Sequence, residues 1–151
     1  MNEDFDKYDE FSGSMEERFP KLFSAPYGGF CVGEGWWPIV ENLCEQIQHH
    51  IDWVDESRSR LLKDNPYNHV IPEAVPQVVV RQIKEKFGGL RFYYDGGDMY
   101  VSGLVSMAER WASHSCEECG NKATKTTSGW IKNLCDVHYE ENEVRKRMQN
   151  V

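Results

Sequence analysis

The sequence predicts an α+β fold in which helices and a β-hairpin surround one core, followed by a small C-terminal module. Three observations lead to this class. Apolar residues recur every three or four positions through 36–54, which is typical of an amphipathic helix. Two β-prone runs flank Gly88 and Gly89, which is typical of a hairpin. Three of the five cysteines fall in the last quarter of the 151 residues. We therefore divide the chain into a flexible acidic N-terminus (1–13), a core (14–112) and a cysteine-containing module (113–151).

Composition and charge make some classes of function less favourable than others. Hydrophobic residues make up 40% and charged residues 28%, so the chain has enough apolar material for a packed core. The net charge of −8 disfavours non-specific binding to duplex DNA, which needs a basic surface. Apolar runs do not exceed three residues, whereas a membrane-spanning helix needs about 20, and the acidic start is unlike a secretory signal. We expect a cytoplasmic protein that makes no membrane contact.

The first predicted helix begins near a capping-box pattern. Ser14 offers a side-chain acceptor and Glu17 stands three positions later. Met15, Phe19 and Leu22 then share one helical face, and Pro20 limits the length. The glycine-rich segment 28–35 follows. It lacks the spacing of a phosphate-binding loop, so we interpret it as a structural turn.

The clearest helix covers residues 36–54. Pro38 suits its first turn, where a missing N–H costs nothing. At least one of Trp36 and Trp37 is expected to anchor the core, although the pair would also suit a stacking surface. The polar stretch 55–68 is either the tail of this helix or a loop, and the prolines after it predict an extended connection.

The hairpin is predicted over residues 78–94, and another helix follows it. β-branched and aromatic residues fill both runs around Gly88–Gly89. Asp98 is a candidate N-cap for the next helix. Its apolar stripe consists of Val101, Leu104, Val105, Ala108, Trp111 and Ala112.

The strongest chemical signal is a set of four metal-ligand residues. Cys116 and Cys119 form a C-x2-C pair, and after fifteen intervening residues Cys135 and His138 form a C-x2-H pair. Three thiolates and one imidazole suit a tetrahedral Zn²⁺ ion, a borderline-soft cation. His114 is a rival fourth ligand, but His138 repeats the spacing of the first pair. We expect one structural Zn²⁺ per chain, because four protein ligands leave no open position for water.

The order of elements around these ligands is typical of a treble-clef zinc finger. A knuckle, a short hairpin near 124–130 and a ligand pair at the start of a helix follow one another. Nucleases of this plan need a further catalytic residue in the hairpin, yet no His, Asp or Glu lies between Cys119 and Cys135. Cys31 is expected to be a buried, inert thiol, since no base is identifiable beside it. We predict a non-enzymatic protein.

A second candidate surface lies on the hairpin. Basic residues alternate there with aromatic ones, a combination that binds single-stranded nucleic acid, although strands with one exposed face alternate in the same way. The finger loop adds Trp130 with Lys122, Lys125 and Lys132. The candidate binding residues are Lys84, Lys86, Arg91, Phe92, Tyr93 and Trp130.

Three motifs in order resemble small proteins of bacteriophages and prophages. They are the run 33–37 (GEGWW), the run 83–93 (IKEKFGGLRFY) and the ending 116–138 (CxxCG followed by LCDxH). The resemblance implies a viral genetic setting rather than an activity. Small phage accessory proteins often bind a host factor. We therefore expect a protein that modulates a host defence or transcription component in the host cytoplasm, with nucleic-acid binding as the alternative.

Overall fold

The computed structural model describes residues 3–151, with side chains from Asp6 onward, and confirms a mixed α+β chain. A 3₁₀ turn at Glu34–Trp36 precedes the second helix. The described helices are α1 (Glu3–Arg18), α2 (Trp37–Lys63), α3 (Met99–Ser113) and α4 (Asp136–Gln149). The strands are β1 (Phe30–Cys31), β2 (Val79–Lys86), β3 (Gly89–Asp95), β4 (Lys125–Thr126) and β5 (Asn133–Leu134). None of these helices in residues 3–151 is long and apolar enough to cross a membrane.

Helix α1 differs from the prediction. It runs unbroken from Glu3 to Arg18, so the segment 1–13, predicted to be flexible, is helical from residue 3. Ser14 therefore lies inside the helix and does not cap it. Contacts with distant residues explain the extension, because Phe11 stacks on Trp37 with ring centroids 4.4 Å apart and Met15 is fully buried. Residues 1 and 2 lie outside the described part of the chain.

Helix α2 is longer than the 36–54 periodicity indicated. It continues to Lys63, which identifies the first part of the polar stretch 55–68 as a helix tail. Pro38 lies in the first turn, as predicted. The buried face carries Val40, Leu43, Cys44, Ile47, Ile51, Val54 and Ser57.

The predicted hairpin is confirmed and forms part of a three-stranded sheet. β2 and β3 are antiparallel, and β1 pairs in parallel with β2 on its other side. The hairpin turn is formed by Phe87 and Gly88, with φ of 53° and 78°. Two consecutive positive φ angles are typical of the turn that matches the twist of the flanking strands.

Helix α3 packs against both β3 and α2, and the main core lies between these elements. Asp98 caps the helix as predicted, because its carboxylate accepts a 3.0 Å hydrogen bond from the backbone N–H of Val101. His50 of α2 lies 2.8 Å from the same carboxylate through Nε2, and its ring stacks on Tyr100. Asp98 therefore also ties α3 to α2.

Replacing Asp98 tests this cap. Burial raises the pKa of Asp98, but hydrogen bonds from His50 and the Val101 N–H outweigh it, so the net pKa is lowered. Asp98→Ala should reduce the free energy of unfolding at pH 7 by about 1 kcal/mol, the usual value of an N-cap. A group with a lowered folded pKa stabilises the fold above its unfolded pKa of about 3.9, and this contribution is lost as the pH falls through the folded value.

Asp98→Asn is the matched control, because an amide oxygen still accepts from Val101 while the charge is lost. Urea unfolding is measured at pH 7 and at pH 3. At pH 7, D98A should have a lower free energy of unfolding than D98N. The deficit of D98A relative to wild type should shrink at pH 3. Equal stability of wild type and D98A at pH 7 would contradict the cap.

Candidate metal centre

Four side chains converge in the C-terminal quarter. The ligand atoms of Cys116, Cys119, Cys135 and His138 all lie within 4.8 Å of one another. The two sulfur atoms of Cys119 and Cys135 are 3.8 Å apart, and Nδ1 of His138 lies 3.5 Å from the Cys116 sulfur and 3.2 Å from the Cys135 sulfur. A tetrahedron with metal–sulfur bonds of about 2.3 Å and a metal–nitrogen bond of about 2.0 Å has edges of about 3.8 and 3.5 Å. The donor set therefore fits a four-coordinate metal ion.

The first ligand pair lies in a tight turn after α3. The N–H of Gly120 donates to the carbonyl of Cys116 at 2.8 Å, and the N–H of Cys116 donates to the carbonyl of Asn121 at 2.7 Å. Gly120 has φ of 80°, in the left-handed region that a side chain disfavours. This turn, which we call the knuckle (Ser115–Gly120), directs both sulfur atoms to one point.

The second pair lies at the start of α4. Cys135 is the N-cap residue and His138 lies in the first turn, so a two-residue gap places both on the same side of the helix end. The two-stranded sheet of β4 and β5 leads directly into Cys135. His114, the rival ligand, is exposed and is not part of the four-residue cluster.

The thiols differ in acidity. The backbone N–H of His138, directed at the Cys135 sulfur, lowers the pKa of that thiol to about 7. Desolvation raises the pKa of Cys119 to about 11, as do hydrogen bonds with Cys116 and Cys135, while the N–H of Asn121 opposes the shift. Nε2 of His138 lies 3.9 Å from a carboxylate oxygen of Glu141, the kind of outer partner that orients a metal-bound imidazole.

The glycine-rich segment packs directly onto the knuckle, a contact that sequence reasoning missed. The N–H of Gly35 donates to the carbonyl of Glu117 at 2.8 Å, and the indole N–H of Trp36 donates to the carbonyl of Ser115 at 3.0 Å. A Cβ atom on Gly35 would lie 2.2 Å from the Cys116 carbonyl oxygen and 2.5 Å from the Gly120 nitrogen. Glycine is therefore required at position 35, because the knuckle backbone lies too close for any side chain. Some 80 residues separate the partners, so no local signal reveals the contact.

Glu117 reinforces the same junction. Its Oε1 accepts a 3.1 Å hydrogen bond from the N–H of Gly33, whereas Oε2 is buried without a hydrogen-bond partner among the described residues. A Cβ on Gly33 would lie 2.4 Å from the Glu117 carbonyl oxygen. Burial raises the pKa of the Glu117 carboxyl, and the hydrogen bond from Gly33 partly offsets this.

The predicted binding residues divide between two faces of the sheet. Lys84 and Arg91 are cross-strand partners, and Tyr93 is 43% exposed. Phe92 was wrongly assigned to the surface, because it pairs with Ile83 on the core face and is only 4% exposed. Phe87 at the hairpin turn is the exposed phenylalanine instead, at 73%.

The hairpin turn and the finger loop meet in space. The side-chain amide of Asn133 donates to the carbonyl of Gly88 at 3.0 Å, and a Cβ on Gly88 would lie 3.1 Å from Cγ2 of Ile131. Trp130, beside Ile131, is 73% exposed. We call this composite region the tip surface; it consists of Lys86, Phe87, Trp130 and Ile131.

The structure also decides the positions of Cys31 and of the Trp36–Trp37 pair. Cys31, predicted to be buried, is exposed, because it pairs with Lys84 in the β1–β2 register on the outer face of the sheet. Trp36 is fully buried in the core, as expected, and Trp37 is partly buried against it. The Trp36–Trp37 pair therefore does not form an open stacking surface.

In comparison with known proteins, the chain matches no protein-family model, no curated protein and no solved structure.

The glycine contact yields a direct test. Gly35→Ala should destabilise the fold by about 1–3 kcal/mol or more, because the added methyl overlaps knuckle backbone that cannot move away. Gly13→Ala is the control. It makes the same chemical change in the N-terminal half of the chain, but a Cβ at Gly13 meets nothing within 4 Å. Thermal unfolding and limited proteolysis of residues 113–151 should be affected by G35A alone. Equal stability of the two variants would show that the glycine contact is not required.

Proposed function

We propose that this chain is a non-enzymatic binding protein whose fold is stabilised by one structural Zn²⁺ ion held by Cys116, Cys119, Cys135 and His138. Three sulfurs and one imidazole nitrogen suit Zn²⁺ better than hard cations, which prefer oxygen ligands. The four protein donors complete a tetrahedral set. That arrangement leaves no position at which a substrate or water would bind, which supports a structural role.

We further propose that residues 113–151 form a treble-clef-like zinc finger. The order of elements supports this plan, since the knuckle is followed by the β4–β5 pair and then by α4. Cys135 joins β5 to α4, so one ligand pair spans the strand-to-helix junction.

The observation that carries the binding proposal is the meeting of hairpin turn and finger loop at the tip surface. Phe87 and Trp130 are large, exposed aromatic side chains on two loops held together by the Asn133–Gly88 hydrogen bond. Aromatic anchors of this kind dominate the energetics of protein interfaces. Lys86, whose ammonium lies 5.7 Å from the Phe87 ring centroid, provides a positive rim. The surface suits a protein partner that offers an apolar pocket bordered by carboxylates.

The resemblance to phage and prophage proteins supports a host protein as this partner, with a defence or transcription component as the expected class. Modulation of the host protein would follow from occupying its surface. No chemical step by this chain is required.

Nucleic-acid binding is the alternative, and one observation favours it. Among the described side chains, Lys84 and Lys86 have no carboxylate partner, and Tyr93 lies near them on the outer sheet face. Lys122 of the finger loop also has no carboxylate partner among the described side chains, whereas three other cations of these surfaces lie near carboxylates. Lys132 pairs with Glu118 at 3.4 Å, and Arg91 lies 3.9 Å from Glu109. Lys125 likewise lies within 4.0 Å of two carboxylates, those of Asp136 and Glu140. We therefore favour the protein partner.

Metal analysis tests the structural site. Protein purified without chelator should contain one zinc per chain, and Cys135→Ser should lose it and expose residues 113–151 to protease. The expected effect is large, because structural zinc contributes about 10–16 kcal/mol of apparent binding energy in small finger peptides. Cys31→Ser, which removes an exposed thiol outside the cluster, should keep the metal. A metal-free wild-type protein with an ordered C-terminal quarter would refute the site.

Substitutions at the tip surface test the binding proposal. Trp130→Ala and Phe87→Asn should each weaken binding of a host protein captured on the wild-type chain by about 30-fold, the loss expected for an interface hot spot of about 2 kcal/mol. Asn tolerates the positive φ at position 87, so the turn is preserved. Tyr67→Ala, at a residue 82% exposed elsewhere, is the control.

A triple variant of the hairpin cations separates the two partner classes. If single-stranded DNA or RNA binds with a dissociation constant below about 1 µM at physiological salt, and Lys84→Ala/Lys86→Ala/Arg91→Ala removes that binding, the nucleic-acid alternative is correct. Otherwise the triple variant should leave nucleic-acid affinity at a weak baseline.

A further inference from the structure

Helix α3 carries exposed apolar side chains next to its buried stripe. Val101, Val105, Ala108 and Ala112 are buried against the core. Met99, Tyr100, Met107 and Trp111 are exposed by 91, 54, 64 and 62%. Serine side chains and Glu109 form a separate polar side of the helix. A group of large exposed apolar side chains on a surface helix marks an interaction site.

A groove between α2 and α3 continues this apolar region. Its volume is about 180 Å³, and Ile39, Leu43, Leu104, Met107 and Trp111 line it. Asn42 and Gln46 of α2 form a polar border without charge. His49 and Trp53 extend the same side of α2. Together with Asn42 and Gln46 they follow one another at steps of four, three and four residues, which is the spacing of one helix face.

Charge is sparse in this region of a highly charged chain. Among the exposed residues of α3, Arg110 is the one charged side chain. On α2, two exposed carboxylates border the region, because Glu45 follows Asn42 and Glu56 follows Trp53 by three positions. We define the uncharged face as Asn42, Gln46, His49, Trp53, Met99, Tyr100, Gly103, Met107 and Trp111.

We propose that the uncharged face is the interface of a two-fold symmetric homodimer. Two chains that each carry a net charge of −8 would repel one another across most surfaces, but the uncharged face has carboxylates only at its border, so two copies meet there with few like charges in contact. Homodimer interfaces are also more apolar than other interfaces, and aromatic residues and methionine are enriched in interfaces. Two-fold dimers are the commonest closed assemblies and pair one patch with itself.

The area of the uncharged face agrees with this occupant. Its five large exposed side chains, at about 200 Å² each when fully exposed, present roughly 650 Å². A standard interface buries about 800 Å² per partner, a value that the polar border brings within reach. Gly103 lies between Met99 and Met107 along α3, and a Cβ there meets nothing within 4 Å, so a partner backbone has open access.

Sedimentation velocity of the zinc-loaded full chain tests this proposal. Wild-type protein between 1 and 100 µM should show a species of twice 17.6 kDa that increases with concentration. Met107→Glu should raise the dimer dissociation constant by at least about tenfold, because it places a like charge on each side of the interface. Circular dichroism melting and zinc content report whether the variant remains folded.

Met148→Glu is the matched control. It introduces the same carboxylate at a residue 73% exposed on α4, outside the uncharged face, and should dimerise as wild type does. A wild-type chain that stays monomeric to 100 µM would overturn the proposal. So would a Met107→Glu variant that dimerises normally, or equal disruption by Met148→Glu. Because the uncharged face shares no residue with the tip surface, failure here leaves the host-protein proposal to its own test.

Discussion

The structure depends on the contact between the glycine-rich segment and the knuckle. The apolar cluster of the C-terminal module comprises Cys116, Leu134 and Cys135 with Tyr139 packed against them, and α4 contributes no buried residue. Such a small core cannot stabilise a module of this size by itself. Two sources of order remain, namely the convergence of four metal-ligand side chains and the backbone contacts from Gly35 and Trp36. The second source joins the module to the large core.

This junction also places the tip surface. The knuckle is held by the core, and the β4–β5 pair returns from it toward the hairpin, where Asn133 donates to the carbonyl of Gly88. Phe87 and Trp130 are thereby displayed on two loops that this hydrogen bond joins. The proposed metal site and the proposed binding surface are consequently linked, because the β4–β5 pair connects the four ligand residues to the loop that carries Trp130.

The distribution of charge separates the surface into regions of different electrostatic character. In the finger, Lys125 and Lys132 are paired with neighbouring carboxylates. Lys84 and Lys86 of the hairpin and Lys122 of the finger lie within 4.0 Å of no carboxylate among the described side chains. The groove between α2 and α3 is lined by apolar and neutral polar residues, and the carboxylates of α2 lie outside its lining. Within a chain of net charge −8, the hairpin and this groove are regions where an approaching macromolecule meets few carboxylates.

The sequence by itself determined the features that depend on neighbours in the chain. Cysteine pairs with a two-residue gap, the β-prone runs around Gly88 and the Asp98 cap are local patterns, and the structure contains each of them. Tertiary structure decided the rest. Alternation along β3 placed Phe92 and Tyr93 on opposite faces, but only the packing of the helices made Phe92 the buried one. Helix α1 extends to Glu3 because Phe11 meets Trp37, and Gly35 is needed because the knuckle backbone lies against it. These outcomes arise from contacts between distant segments, and no periodicity or spacing within one segment carries that information.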